Sequence, residues 1–342
     1  MEMKKASFDA KKTGQWLMNN AIYVVLAVLI ITIIAIEPDF LSVKNLMNIL
    51  TQSSTRIIIA LGVGGILITQ GTDLSAGRMV GLSAVISASL LQATDYAYRM
   101  YPNLAKLPMV VPILVGIAVC AIIGFLNGTI VSVFKVPPFI ATLGTSIIVY
   151  GLSSIYVDRP PLGAQPIGGF DKAFKTFVTG SYNVFGFKLP HLIVYALIVT
   201  IIIWLLWNKT RFGKNMYAIG GNPEAAAVSG VNVTKYLIVI YIIAGALYGF
   251  AGTLEAGRVG SATNNTGNMY ELDAIAACVV GGVSTSGGIG TVPGIITGVL
   301  IFQIINYGLA FLSVNPYIQY IVKGLIIVCA VAIDIRKYLK KK

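Results

Sequence analysis

The stretch LIVYALIVTIIIWLLW, residues 192–207, runs for 16 residues without a charge. A helix that crosses a bilayer needs about 17–25 mostly apolar residues, flanks included, and a helix apolar on every face belongs in lipid or in a large core. Similar runs stand at 21–36 (AIYVVLAVLIITIIAI) and 320–333 (YIVKGLIIVCAVAI). The 342-residue chain is 56% hydrophobic and 11% charged, with a mean hydropathy of +0.81, whereas soluble domains average roughly 45–50% and about 25%. The reading is an all-α, polytopic membrane protein forming one transmembrane domain over 1–342. The run at 21–36 follows a basic segment, MEMKKASFDAKKTG, as in a signal peptide, but it ends in IAIEPDF and not in a small-residue cleavage motif. It is read as a retained span.

Apolar runs set against Gly, Pro and charge punctuation place ten spans near 21–36, 56–70, 76–92, 109–127, 139–157, 189–208, 236–254, 271–283, 292–311 and 317–334. An even number brings both termini to one side. Lys4, Lys5, Lys11 and Lys12 precede the first span, and Arg336, Lys337, Lys340, Lys341 and Lys342 follow the last, so the positive-inside rule puts both ends in the cytoplasm. The loop 209–235 then falls inside, and 93–108 and 158–188 fall outside. This topology accounts for the net charge of +12, and the chain lacks the basic, aromatic-interleaved surface that nucleic acid requires. Cys120, Cys278 and Cys329 lie in apolar runs and His191 is the single histidine. No disulfide framework, metal set, cofactor site or histidine-based triad is indicated.

A weak repeat emerges when GTDLSAGRMVGLSAVISASLL (71–91) is laid on GGVSTSGGIGTVPGIITGVLIF (281–302). Gly71, Ser75 and Gly77 meet Gly282, Ser286 and Gly288, and a two-residue insertion brings Gly81 onto Gly294. Each stretch is a Gly/Ser turn between a span going in and one coming out, which makes the repeat parallel, as in many transporters. Chance similarity of two Gly/Ser turns is the other reading. Glycines four residues apart, at 77/81, 124/128, 245/249 and 290/294/298, are expected to let helix backbones approach closely.

Charges at membrane depth cost about 2.5–3.5 kcal/mol each on insertion scales, so each needs a reason. Asp73 and Arg78 flank the first turn, where an ion pair, or an Asp73 cap on the next helix, would account for them. Glu271 and Asp273 open the eighth span, where the helix dipole favours acids. Lys323 is expected to snorkel toward an interface. Apart from Asp73, no acid is read inside a span, as coupling to an ion would need, and there is no G-x-x-x-x-G-K-[ST] phosphate loop. Energy for active transport would have to come from a partner.

The polar stretch YAIGGNPEAAAVSGVNVTKY, 217–236, stands apart. Asn222 is a strong N-cap, Pro223 suits the first helical position, and Glu224 places negative charge at the positive end of the dipole. Ala225, Ala226 and Ala227 continue the helix, and Gly230 suits a left-handed stop. A helix of about seven residues is too short to stand alone in water, so it is expected to rest on a partner or on the chain's own loops.

ITQGTDLSAGR (68–78), TLGT (142–145), FGKNMYAIGGNPEAAAVSGVNV (212–233) and ELDAIAACVVGGVSTSGGIGTV (271–292) resemble the permease subunits of bacterial ABC sugar importers, in the ribose, xylose and galactose branch. The match covers nearly the whole chain, and TRIIIALGV (55–63), LWNKTRFGKN (206–215) and AGRVGSATNN (256–265) look most like the branch's galactose/methyl-galactoside members. The resemblance implies a type II-like importer permease in a bacterial cytoplasmic membrane. It also implies a second permease copy, an ATPase with two nucleotide-binding halves, and an extracytoplasmic sugar-binding protein. It identifies Gly221, Asn222, Pro223, Glu224, Ala225, Ala226, Ser229 and Gly230 with the family's segment for docking the ATPase. For the hexose path, polarity at membrane depth nominates Thr69, Gln70, Asp73, Ser75, Ser286 and Asn306. An autonomous sugar channel or secondary carrier is the alternative, and it leaves the capped helix without a role. An intramembrane enzyme lacks paired ionisable residues.

Overall fold

The computed structural model describes residues 21–159, 163–184 and 186–339. Lys4, Lys5, Lys11, Lys12, Lys340, Lys341 and Lys342 lie outside the described residues, as do the side chains of Cys329, Arg336 and Lys337. The helices in chain order are α1 (Ala21–Ile36), α2 (Val43–Ile68), α3 (Ala76–Leu90), α4 (Val110–Ser132), α5 (Pro138–Val157), α6 (Lys172–Thr179), α7 (His191–Lys209), α8 (Arg211–Gly221), α9 (Pro223–Val228), α10 (Val233–Val259), α11 (Tyr270–Val280), α12 (Val292–Phe311) and α13 (Pro316–Leu339). A helix stands over each of the ten apolar runs. Among the described residues, α2, α4, α5, α7, α10 and α12 are the six long and apolar enough to cross a membrane, and α3 and Pro316–Val328 are shorter apolar helices.

Two of the helices that pass the limits of their apolar runs, α2 and α10, do so for one reason. α2 starts 13 residues before Arg56, capped by the Ser42 side chain, which accepts from the Asn45 amide. α10 runs on through Glu255 to Val259 before Gly260 (φ 88°) stops it. In both cases a charge read as a boundary lies inside a helix, because it finds a partner there. The polar start of α2 repeats Asn45, Ile49 and Ser53 on one buried face, the four-residue spacing of a helix packed along one side.

α2 and α10 form the centre, with long buried faces. α4, α5 and α7 surround them and expose Ile122, Ile147, Ile155 and Ile202, as lipid-facing helices do. α4 and α10 pack backbone to backbone: Gly124 and Gly128 back onto Tyr241 and Ile238, and Gly245 and Gly249 onto Cys120 and Gly116. Gly294 and Gly298 bring α12 onto the Gly281 and Ala277 carbonyls in the same way. Gly77 and Gly81 instead receive the backbone of Thr266 and Gly267, a non-helical strand of chain that descends beside α3. The far end of the bundle carries α6, the hairpin of β1 (Ser181–Val184) with β2 (Phe187–Pro190), and the pairing of Ile167 with Ala262. His191 opens α7 and its Nδ1 lies 3.0 Å from the Phe177 carbonyl.

The glycine faces make a contrast that can be measured. A Cβ at Gly245 would strike the Cys120 carbonyl, whereas Gly144 on α5 faces open space. Gly245→Ala is expected to destabilise the detergent-solubilised protein by about 1–3 kcal/mol while Gly144→Ala leaves its melting temperature unchanged or higher.

Candidate functional site

α2 ends at Ile68 and α11 at Val280, and the turns 69–75 and 281–291 carry the chain back as α3 and α12. Buried backbone left unpaired is expensive, and these turns satisfy one another. The Gly288 amide donates to the Ile68 carbonyl at 2.8 Å. Gln70 donates through Nε2 to the Gly220 carbonyl at the end of α8 (2.9 Å), and the Tyr217 hydroxyl donates to the Gly290 carbonyl (2.8 Å). The approach is close enough that a Cβ at Gly220 would overlap the Ile68 carbonyl. Both turns therefore lie at the same end of the molecule as α8, as a parallel repeat requires. Their backbones differ, however: Gly282, Gly287 and Gly288 have positive φ in the second turn, against Gln70 alone in the first.

The first turn is held from the side by TLGT on α5. Asp73 is buried and its Oδ1 accepts from the Ser75 amide (2.9 Å) and hydroxyl (2.6 Å). Asn127 of α4 donates to Ser75 Oγ (3.0 Å), and Thr145 donates to Asn127 Oδ1 (2.6 Å). Thr142 Oγ1 accepts from the Leu74 amide (3.0 Å) and donates to the Thr72 carbonyl (3.1 Å). The expected Asp73–Arg78 ion pair does not form. Arg78 lies in the first turn of α3 and donates instead to Asn268 Oδ1 (2.8 Å), with its guanidinium 4.3 Å from the centre of the Tyr150 ring. Nor does Asp73 cap the helix: Ser75 holds the N-cap position, without a capping side-chain bond.

α8 delivers α9. Asn222 caps α9 through the Ala225 amide (2.9 Å), Pro223 is its first residue, and Gly230 (φ 86°) ends the turn after Ser229. α9 has six residues. Ala226 packs against the chain itself, while Glu224, Ala225, Ala227 and Ser229 are exposed and Val228 is 91% exposed. α8 has no counterpart in the sequence reading; its buried face of Gly213, Met216, Ile219 and Gly220 is broken by glycines that hide the helical pattern.

Away from this junction, a cavity of about 380 Å³ opens between α2, α10, α12 and α13. Its wall carries the cations Arg56, Arg258 and Lys323, the amides Gln52, Gln303 and Asn306, and the ring of Tyr307. Glu255 lies behind it, fully buried, and accepts from Arg258 through both oxygens (2.7 and 2.9 Å), from Thr55 (2.9 Å) and from the Tyr270 hydroxyl (2.8 Å). Asp273 pairs with Lys323 at 3.2 Å and lies 3.8 Å from Arg56, so Lys323 is held inside the bundle and does not snorkel. Arg56 also stacks on Tyr270, with its guanidinium carbon 3.1 Å from the ring centre.

The six residues nominated for a path do not share one space. Asn306 lines the cavity. Thr69, whose hydroxyl donates to the Ile66 carbonyl (2.9 Å), joins Gln70, Asp73 and Ser75 in the first turn, and Ser286 is exposed on the second. Arg56, Glu255 and Arg258 were missed because the spans were closed at 56 and 254. The i,i+3 spacing of Glu255 and Arg258 was the available signal.

The family model described as branched-chain amino acid transport system, permease component, matches residues 45–331, which include both turns, α8, α9 and the whole cavity wall. The chain belongs to this permease family. It is 58% identical to the galactose/methyl galactoside import permease protein of Haemophilus influenzae and 60% identical to that of Escherichia coli, over 98% of this chain and 100% of each relative. It is 36% identical to the ribose import permease protein of Bacillus subtilis, over 98% of this chain and 97% of that one. No solved structure matches the chain. The importer-permease resemblance drawn from the motifs thus holds, and the permease is a transport component of the membrane, not an enzyme.

Breaking the buried pair isolates a charge. Arg258→Met, which leaves Glu255 ionised without its bidentate partner, is expected to cost about 3–5 kcal/mol. Adding Glu255→Met should restore part of the loss, as read from thermal unfolding of the purified permease.

Proposed function

We propose that this permease carries galactose and methyl galactosides into the cell as the membrane subunit of an ATP-driven importer. The observation that supports this most is the 58–60% identity, over nearly its full length, to permeases so named. The family description names branched-chain amino acids, but the relatives matched over nearly the full length are named for galactose, methyl galactoside and ribose, and the amide-bearing cavity suits a neutral polyol.

In this reading the ten apolar helices all cross or enter the bilayer, with both termini and 209–235 in the cytoplasm and 158–188 outside. Two copies enclose the path, a sugar-binding protein delivers the hexose from outside, and an ATPase with two nucleotide-binding halves docks on α9. The docking surface comprises Gly221, Asn222, Pro223, Glu224, Ala225, Ala226, Ser229 and Gly230, with Val228 added as an apolar anchor on account of its exposure. Asn306 meets the sugar. Thr69, Gln70, Asp73, Ser75 and Ser286 act at the inner end of the path, as parts of the two turns that α9 moves through Gly220 and Tyr217.

Reconstituted vesicles test the reading. Galactose uptake should require both the ATPase and ATP; uptake by the permease alone, at a rate indifferent to ATP, would identify an autonomous channel or carrier. Glu224→Lys and Val228→Asp should leave membrane insertion normal, reduce co-purification of the ATPase at least tenfold, and abolish uptake. Unchanged co-purification would mean that α9 is only a loop element.

A further inference from the structure

The cavity wall is electrically one-sided. Arg56, Arg258 and Lys323 line it with 23%, 25% and 21% of their side-chain surface exposed, while Glu255 is fully buried behind Arg258 and Asp273 is 17% exposed beneath the other two cations. Glu255 is therefore withdrawn from the cavity, Asp273 lines only the small hollow that adjoins it beside Arg56 and Asn306, and three cations face it. Two carboxylates against three cations leave one positive charge in excess. Glu271 does not offset it, since its carboxylate packs on Gly77 of α3, away from this wall.

The chemistry of this wall is unsuited to lipid. Arg56 Nη1 and Asn306 Oδ1 are buried without a hydrogen-bond partner in the protein, and both residues line the cavity. Three partly exposed cations set against hydrocarbon would be costly, and groups of this kind are solvated by water or by a polar solute. The neutral wall residues, Gln52, Gln303 and Tyr307, bond to their neighbours: Gln303 donates to Gln52 (2.9 Å) and Tyr307 to Asn45 (2.8 Å). They hold the wall in shape while the cations set its potential.

We propose that this cavity is a water-filled vestibule whose positive wall admits neutral and anionic solutes and turns back cations, protons included. Its place on the hexose path rests on the transport reading above; its charge selectivity does not. A permeation path that opens for a sugar is wide enough for hydrated ions, and fixed positive charge is a general means of excluding protons and metal cations from such a path. A neutral hexose is indifferent to that field.

The test uses the permease assembled with its ATPase in liposomes, with Asn306→Cys as a reporter. The unsubstituted chain is the control, in which Cys120 and Cys278 are buried. Thiosulfonate reagents bearing a sulfonate or a trimethylammonium group are compared, each rate divided by its rate with a free thiol. The sulfonate reagent should be favoured by about tenfold or more, and the ratio should fall to one or below when Arg56→Gln and Lys323→Gln are added, which leave the carboxylates one charge in excess. Equal normalised rates in the otherwise native wall, or no reaction with either reagent, would overturn the proposal. If the double variant fails to assemble, the ratio in Asn306→Cys alone still decides. ATP-driven galactose uptake by the unsubstituted assembly is measured separately. Uptake with equal reagent rates would refute only the charged vestibule, and charge-selective labelling without uptake would refute only the transport reading.

Discussion

The hydrogen bond from the Gly288 amide to the Ile68 carbonyl is the contact on which the architecture turns. A helix may break at membrane depth only where the freed backbone groups find partners within the protein. Here two helices break at the same end, and each break answers the other, with α8 closing the junction through Gly220 and Tyr217. Gly220 must be glycine for the three backbones to meet. Because α8 meets one turn through the Gln70 amide on the Gly220 carbonyl and the other through the Tyr217 hydroxyl on the Gly290 carbonyl, displacement of α8 with the turns left in place would strand both carbonyls. The proposed lever and the integrity of the fold are therefore one structure.

A second constraint shapes the opposite half of the bundle. Charge is admitted among these helices by being paired, as Glu255 with Arg258 and Asp273 with Lys323. Desolvation makes such pairs poor sources of stability, which argues for a role in setting the potential of the cavity they flank. The division is spatial as well as chemical: backbone carbonyls and small hydroxyls build the junction, whereas guanidinium, ammonium and amide groups build the cavity.

The positions of the apolar helices were legible because hydropathy and glycine spacing are local. Gly124, Gly128, Gly245 and Gly249 were read as close-packing positions and they are. The cap and stop of α9 were equally legible, since Asn222, Pro223 and Gly230 act on their immediate neighbours. Pairings across the sequence were not. Arg56 and Glu255 looked like span boundaries because a lone charge does not belong in lipid, and their partners lie on other turns or other helices. Asp73 and Arg78 looked like partners because they are near in sequence, yet Arg78 reaches Asn268 across 190 positions. The α8 helix escaped notice because Gly213, Gly220 and Gly221 dilute its apolar face, and its stability comes from the junction it closes.

The central claim is that α9 and the two turns move as one body. Spin labels on exposed Ala227 of α9 and exposed Ser286 of the second turn, measured within one permease copy of the ATPase-bound assembly, test it most directly. The account predicts an Ala227-to-Ser286 distance that stays constant between nucleotide-free and ATP-bound states while the distance between the two copies' Ser286 labels changes. A nucleotide-dependent change between Ala227 and Ser286, with the turns of the two copies fixed relative to each other, would contradict it.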